Sequence, residues 1–195
     1  RNRRMQRWFN DHADVCMKNK THMGFAVPTA SVNVVYQMCH LFSHYFDEGL
    51  GLRQLMDYYF ALRVWHNDVM ECKDLQTQGM WSEGLGTPVM SKEEVMAVLR
   101  SFGMKKFAAS VMYVLQEVFA MPSLYYICEP NEKEGKKLLA EIMQGGNFGQ
   151  YDTRDAELKR GGMVKHGVWK LKRVMRLVWS YPEEALWEPV FRVYH

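Results

Sequence analysis

The segment Phe107–Phe119, FAASVMYVLQEVF, is the strongest constraint on what this chain can become. Wound as a helix, it places Ala108, Ala109, Val111, Met112, Val114, Leu115 and Val118 around nearly its whole circumference. Such a helix has no face to offer water, so it belongs at the centre of a bundle whose other members cover it. With 48% hydrophobic and 13% aromatic residues over 195 positions, the chain has enough apolar material to build that cover as one domain, residues 1–195.

The covering elements also read as helices. Met5, Trp8, Phe9, Ala13 and Cys16 recur at helical spacing within residues 1–17, with arginines on the other side. Val35, Met38, Cys39, Phe42 and Phe46 form a stripe over residues 31–46, and Leu55, Met56, Tyr59 and Leu62 form the next, with DEGLG as the turn between them. Ser91 with Glu94, and Asn131 with Glu134, are capping signatures that predict two helix starts, because the side chains can satisfy amides the helix leaves unpaired. Leu138, Leu139, Ile142 and Met143 supply the buried side of the second, which Gly145 and Gly146 end. Val168, Leu171, Val174, Met175 and Val178 predict one more helix. No internal repeat and no regular strand alternation occurs, so the expectation is a mainly α, irregular multi-helix bundle. A short extended or β segment is expected near residues 21–29, where GFAVPT is bounded by Gly24 and Pro28.

Several functional classes are disfavoured by composition. A formal charge of +3 falls short of a dedicated nucleic-acid binder. Cys16, Cys39, Cys72 and Cys128 are scattered without a C-x-x-C pair, which argues against a zinc finger or disulfide scaffold and for reduced thiols in cytoplasm. No apolar run approaches the roughly 18 to 20 residues a membrane helix needs, and residues 1–8 lack the apolar core of a secretory signal. The chain opens on an arginine and enters a helical pattern at once, so the expectation is a portion of something longer.

Polar chemistry is concentrated in MCHLFSHYFDEGLGLRQLMDYYFAL. His40 and His44 lie four apart on one helix face, with Asp47 or Glu48 a turn on. That spacing suits a divalent cation only if Cys39, Asp57 or another ligand arrives by folding; otherwise the histidines are structural. Arg53 and Asp57 share the next helix at the same spacing and can pair there, or the arginine can meet an anionic ligand. The glycines of QGGNFGQYD follow a helix instead of opening one and carry no Lys-Ser/Thr, so they read as a helix stop and not a phosphate loop. From Lys159 to Arg176 there are seven basic residues and no acid, with Trp169 and Trp179 nearby. Lys170, Arg173 and Arg176 represent this basic face, which is the solvated face of an amphipathic helix or, with aromatics interleaved, a site for nucleic acid or phosphorylated ligands.

The pieces RNRRMQRWF, VPT through HLFSH, GLGLRQLMDYYFAL, FAASVMYVLQEVF, PNEKEGKKLLAEIMQGGNFGQYD and YPEEALWEP together resemble the C-terminal part of nucleotidyltransferase-family proteins often encoded among bacterial surface-polysaccharide functions. The likeness covers most of the chain. It implies a cytoplasmic protein whose catalytic half lies upstream and carries a Gly-Ser turn and an Asp-x-Asp pair, holding Mg²⁺ against a nucleoside triphosphate. This chain has neither motif. The resemblance therefore implies a helical accessory domain with no catalytic residue and no cofactor of its own, on the substrate side of the cleft. Its partners would be the upstream domain and a small-molecule or sugar acceptor, with no specific nucleic acid and no membrane span. Substrate or interdomain contacts fall to His40, His44, Arg53 and Asp57. Two other readings stay open: a helical metal-binding enzyme using His40 and His44, and a non-enzymatic interaction module presenting the basic face.

Overall fold

A computed structural model describes residues 3–47, 49–77 and 89–145, and these are mainly helical. The chain enters through α1 (Arg3–Asp11) and α2 (Ala13–Lys18), where the apolar spacing predicts one continuous helix. The interruption sits at His12. Its ring Nδ1 lies 2.8 Å from the Trp8 carbonyl oxygen that its own backbone amide also reaches at 3.2 Å, and the imidazole stacks on the Trp8 indole at 4.1 Å. Sharing one carbonyl between side chain and backbone loosens the helical turn at this point. Met5, Trp8 and Phe9 pack onto the core, whereas Ala13 is exposed.

Residues 19–27 form a tight reversal. The Thr21 amide donates to the Phe25 carbonyl, Gly24 sits at φ +85°, and a single antiparallel bridge joins Lys20 to Ala26. The extended segment expected near 21–29 is thus reduced to one bridge, and no strand forms among the described residues.

The next helix, α3 (Ala30–Asp47), starts after Pro28 and Thr29, whose hydroxyl accepts from the Val32 amide. Its stripe Val35, Met38, Cys39, Phe42 and Phe46 is buried throughout, as its spacing predicts. Gly49, at φ +101°, returns its amide to the His44 carbonyl and turns the chain into α4 (Leu52–Thr77), about 39 Å long at the usual helical rise. The buried side of α4 is Leu55, Tyr58, Ala61, Leu62 and Trp65. Met56, expected inside, is 39% exposed: the buried line of α4 runs through Leu55, Tyr58, Leu62 and Trp65, and Met56 lies one residue, about 100° of helix rotation, to the side of Leu55.

Before α5 (Lys92–Ser101), Met90 is held on both backbone atoms. Its carbonyl accepts from the Trp65 indole of α4 at 3.0 Å and its amide donates to the Ser31 hydroxyl of α3 at 2.8 Å. The Ser91–Glu94 capping box then forms in full. A turn through Gly103 leads to α6 (Lys105–Phe119), which occupies the centre of the described bundle, with Phe107, Ala108, Val111, Met112, Val114 and Leu115 all inaccessible. Phe107 meets Phe42 and Tyr45 of α3 at ring distances of 5.0 and 5.5 Å. The cover is not complete, since Ala109 is only partly buried, Gln116 and Glu117 face water and Val118 is 37% exposed.

Ala120 ends α6 in the left-handed region at φ +49°, and a short 3-10 turn (Ser123–Tyr125) precedes α7 (Glu132–Gly145). Only half of the second capping box is made. Asn131 Oδ1 accepts from the Glu134 amide at 3.0 Å, but the Asn131 amide donates to the Ala109 carbonyl of α6, and the Glu134 carboxylate turns to Lys106 and Lys137. Leu138 and Ile142 face α6, while Met143, expected inside, is 68% exposed. Gly135 lets the two helices close: a Cβ there would fall on Cβ, Cγ and Cδ1 of Tyr113.

Candidate functional site

The histidines lie on the half of α3 that the core leaves uncovered. Burial of Met38, Cys39, Leu41 and Phe42 fixes the rotation of the helix, and the i, i+4 rule then brings His40 and His44 together at its surface. Their Nε2 atoms are 3.1 Å apart with the rings nearly perpendicular, so one ring donates to the other. Tyr36, a turn earlier, stacks on His40 at 5.9 Å, and Phe9 of α1 meets Tyr36 edge-on at 6.1 Å. Phe9, Tyr36, His40 and His44 therefore form one aromatic ladder that ends in a shared hydrogen bond.

Burial pushes the His40 pKa below the ordinary histidine value, and the adjacent His44 lowers it further. The neutral form of His40 is favoured, and a neutral imidazole keeps one ring nitrogen able to accept a hydrogen bond, from His44 or from a ligand. As to metal, Cys39 is buried in the core and Asp57 is exposed on α4. Among the described residues no group of three or more His, Cys, Asp or Glu side chains assembles that could hold an ion.

Arg53 and Asp57 do not pair with each other, contrary to their spacing. Both are exposed on α4, and among the described residues neither forms an ion pair. With the arginine N-terminal to the acid, the pair has the weaker helical orientation, and water solvates both charges instead. Lys170, Arg173 and Arg176, with the rest of the basic face, lie outside the described residues, as do Glu48 and the glycines beyond Gly145. α7 is described as far as Gly145, where the described residues end, so the helix stop expected at Gly145 and Gly146 lies at and beyond that boundary. No described helix is long and apolar enough to cross a membrane.

One concavity escaped the sequence reading. Between α5, the first turn of α6 and residues 127–131 lies an open cavity of about 750 Å³. Lys92, Arg100, Lys105 and Lys106 line it together with Glu93 and Glu129. Met96, Ala109 and Ile127 form apolar lining, and the Cys128 thiol reaches it from a mostly buried position. Burial pushes the Cys128 thiol up to about 11, Glu129 adding to the rise, while Lys92, Arg100 and Lys105 all pull the other way. The KK doublet after SFGM was the only signal in the sequence, since the cations come from two helices that meet only on folding.

No family model matches the chain, and no match is found among curated proteins or among solved structures.

Proposed function

We propose that this chain is the helical substrate-side domain of a nucleotidyltransferase, acting beside a companion catalytic domain of the same polypeptide. In this reading the companion domain holds Mg²⁺ and the nucleoside triphosphate, since Asp-x-Asp and Gly-Ser occur nowhere in the chain. The observation that carries the reading is the aromatic ladder: a rigid core helix presents Tyr36, His40 and His44 outward, where an acceptor hydroxyl or a companion loop can meet a neutral imidazole. Arg53, exposed on α4 and without an ion pair among the described residues, adds a guanidinium for an anionic acceptor group.

The chain alone is expected to transfer no labelled nucleotide to any acceptor and to gain no nucleotide affinity from added Mg²⁺. Incorporation of label by the purified chain would overturn the reading. In the full polypeptide, His40→Ala should raise the KM for acceptor and leave the KM for nucleotide unchanged; an effect on nucleotide alone would place the histidine elsewhere in the mechanism. Elemental analysis separates the metalloenzyme alternative: stoichiometric zinc, manganese or iron that is lost in His40→Ala would favour it.

A further inference from the structure

The cavity between α5, α6 and residues 127–131 is built for an anion. Lys92 and Arg100 come from opposite ends of α5, and Lys105 opens α6, yet all three line one concavity. None of the three forms an ion pair among the described residues. Neighbouring lysines behave differently: Lys106 and Lys137 both reach Glu134, and Lys136 reaches Glu132. Unpaired like charges gathered around one hollow repel each other, and a bound anion converts that repulsion into attraction.

Charge alone would leave the ligand class open, and the lining narrows it. A monocarboxylate could answer one cation and would leave the others unpaired, while Glu93 and Glu129 repel any anion too small to be held by several cations at once. A multiply charged oxyanion can meet Lys92, Arg100 and Lys105 together, with the arginine fork taking two oxygens. The first turn of α6 lines the same cavity, contains no acid and has no side-chain cap at Met104, so its positive end adds to the field. The apolar lining of Met96, Ala109 and Ile127 gives the body of an ester something to cover, and the volume falls within the range of small-molecule sites.

We propose that this cavity binds a phosphorylated small molecule, a phosphate ester or diphosphate, through Lys92, Arg100 and Lys105. The site is separate from the His40–His44 ladder, and the inference does not depend on the nucleotidyltransferase reading. The carboxylates of Glu93 and Glu129 and the Asn131 side chain are left to select for donor groups on the organic portion.

The test is a titration of the isotope-labelled full chain with pyrophosphate in the presence of EDTA, followed by backbone amide NMR. Saturable shifts should centre on Gly103, Lys105 and Asn131, and affinity should fall as salt rises. Arg100→Gln combined with Lys105→Gln should weaken binding about tenfold or more, as expected for losing charged hydrogen bonds. A control that removes equal charge elsewhere, Lys18→Gln with Arg63→Gln, should bind as the unmodified chain does. The proposal is overturned by the absence of saturable shifts, by shifts centred elsewhere, or by equal weakening in the control. Equal affinity for citrate would overturn the phosphate assignment in favour of polyanions at large. All substituted side chains are exposed, and matching amide spectra of the free variants will verify that each is folded.

Discussion

Replacing Gly135 by alanine sets two well-measured effects against each other. In an exposed helix the change would stabilise by about 1 kcal/mol, because glycine is the poorer helix former. Here the added methyl would fall on Cβ, Cγ and Cδ1 of Tyr113. The ring can rotate, but Cβ is tied to the backbone of α6 and cannot leave without the helix moving. Overpacking of this kind costs about 1–3 kcal/mol, and the upper end applies when backbone must yield. If α7 instead retreats, Leu138 and Ile142 lose part of their contact with α6, each fully buried side chain being worth about 1.5–3 kcal/mol. Subtracting the propensity gain leaves an expected net loss of about 2 kcal/mol. Urea unfolding followed by circular dichroism measures it directly. A Gly135→Ala protein as stable as the original, or more so, would refute the close α6–α7 approach. In a Tyr113→Ala background two of the three clashing atoms disappear and Cβ remains, so the penalty should shrink without reversing sign.

Three further outcomes follow from single residues. The Tyr58 hydroxyl is fully buried with no hydrogen-bond partner among the described residues, so Tyr58→Phe should raise stability by about 1 kcal/mol in the same denaturation assay; a comparable loss would mean the hydroxyl is bonded. Ala120→Gly should stabilise by about 0.5–1 kcal/mol by relieving the left-handed backbone at φ +49°, and a lower melting temperature would contradict that conformation. The lowered His40 pKa means that the folded chain binds fewer protons than the unfolded chain between the folded value and about 6.5. Its contribution is therefore complete above that window and is lost as pH falls through it. His44→Ala should move the NMR midpoint of His40 upward part of the way, since burial remains, and an unmoved midpoint would remove His44 as a cause.

The fold was legible where local chemistry decides the outcome. Ser91 and Glu94 cap as written, Phe107–Leu115 is central because it is apolar on nearly every side and its Ser110 hydroxyl is satisfied by the Lys106 carbonyl, and the α3 stripe is buried as spaced. It was not legible where two helices compete for one residue. Glu134 could have closed a capping box, but Lys106 and Lys137 offered it opposite charge. Periodicity places Met56 on the inner face of α4, yet Tyr58 is the fully buried residue there and Met56 is exposed. The site divides in the same way. The His40–His44 contact follows from an i, i+4 spacing on one helix, whereas the meeting of Lys92, Arg100 and Lys105 depends on how α5 turns into α6.

Met90 acts as a surveyed point from which the second half of the bundle is laid out. Because α3 and α4 grip its amide and carbonyl separately, the start of α5 is referenced to both helices at once. The position of α5, and with it the cavity it shares with α6, is therefore referenced to Ser31 and Trp65, so a change to either residue would be felt through α5 at a cavity that neither of them lines.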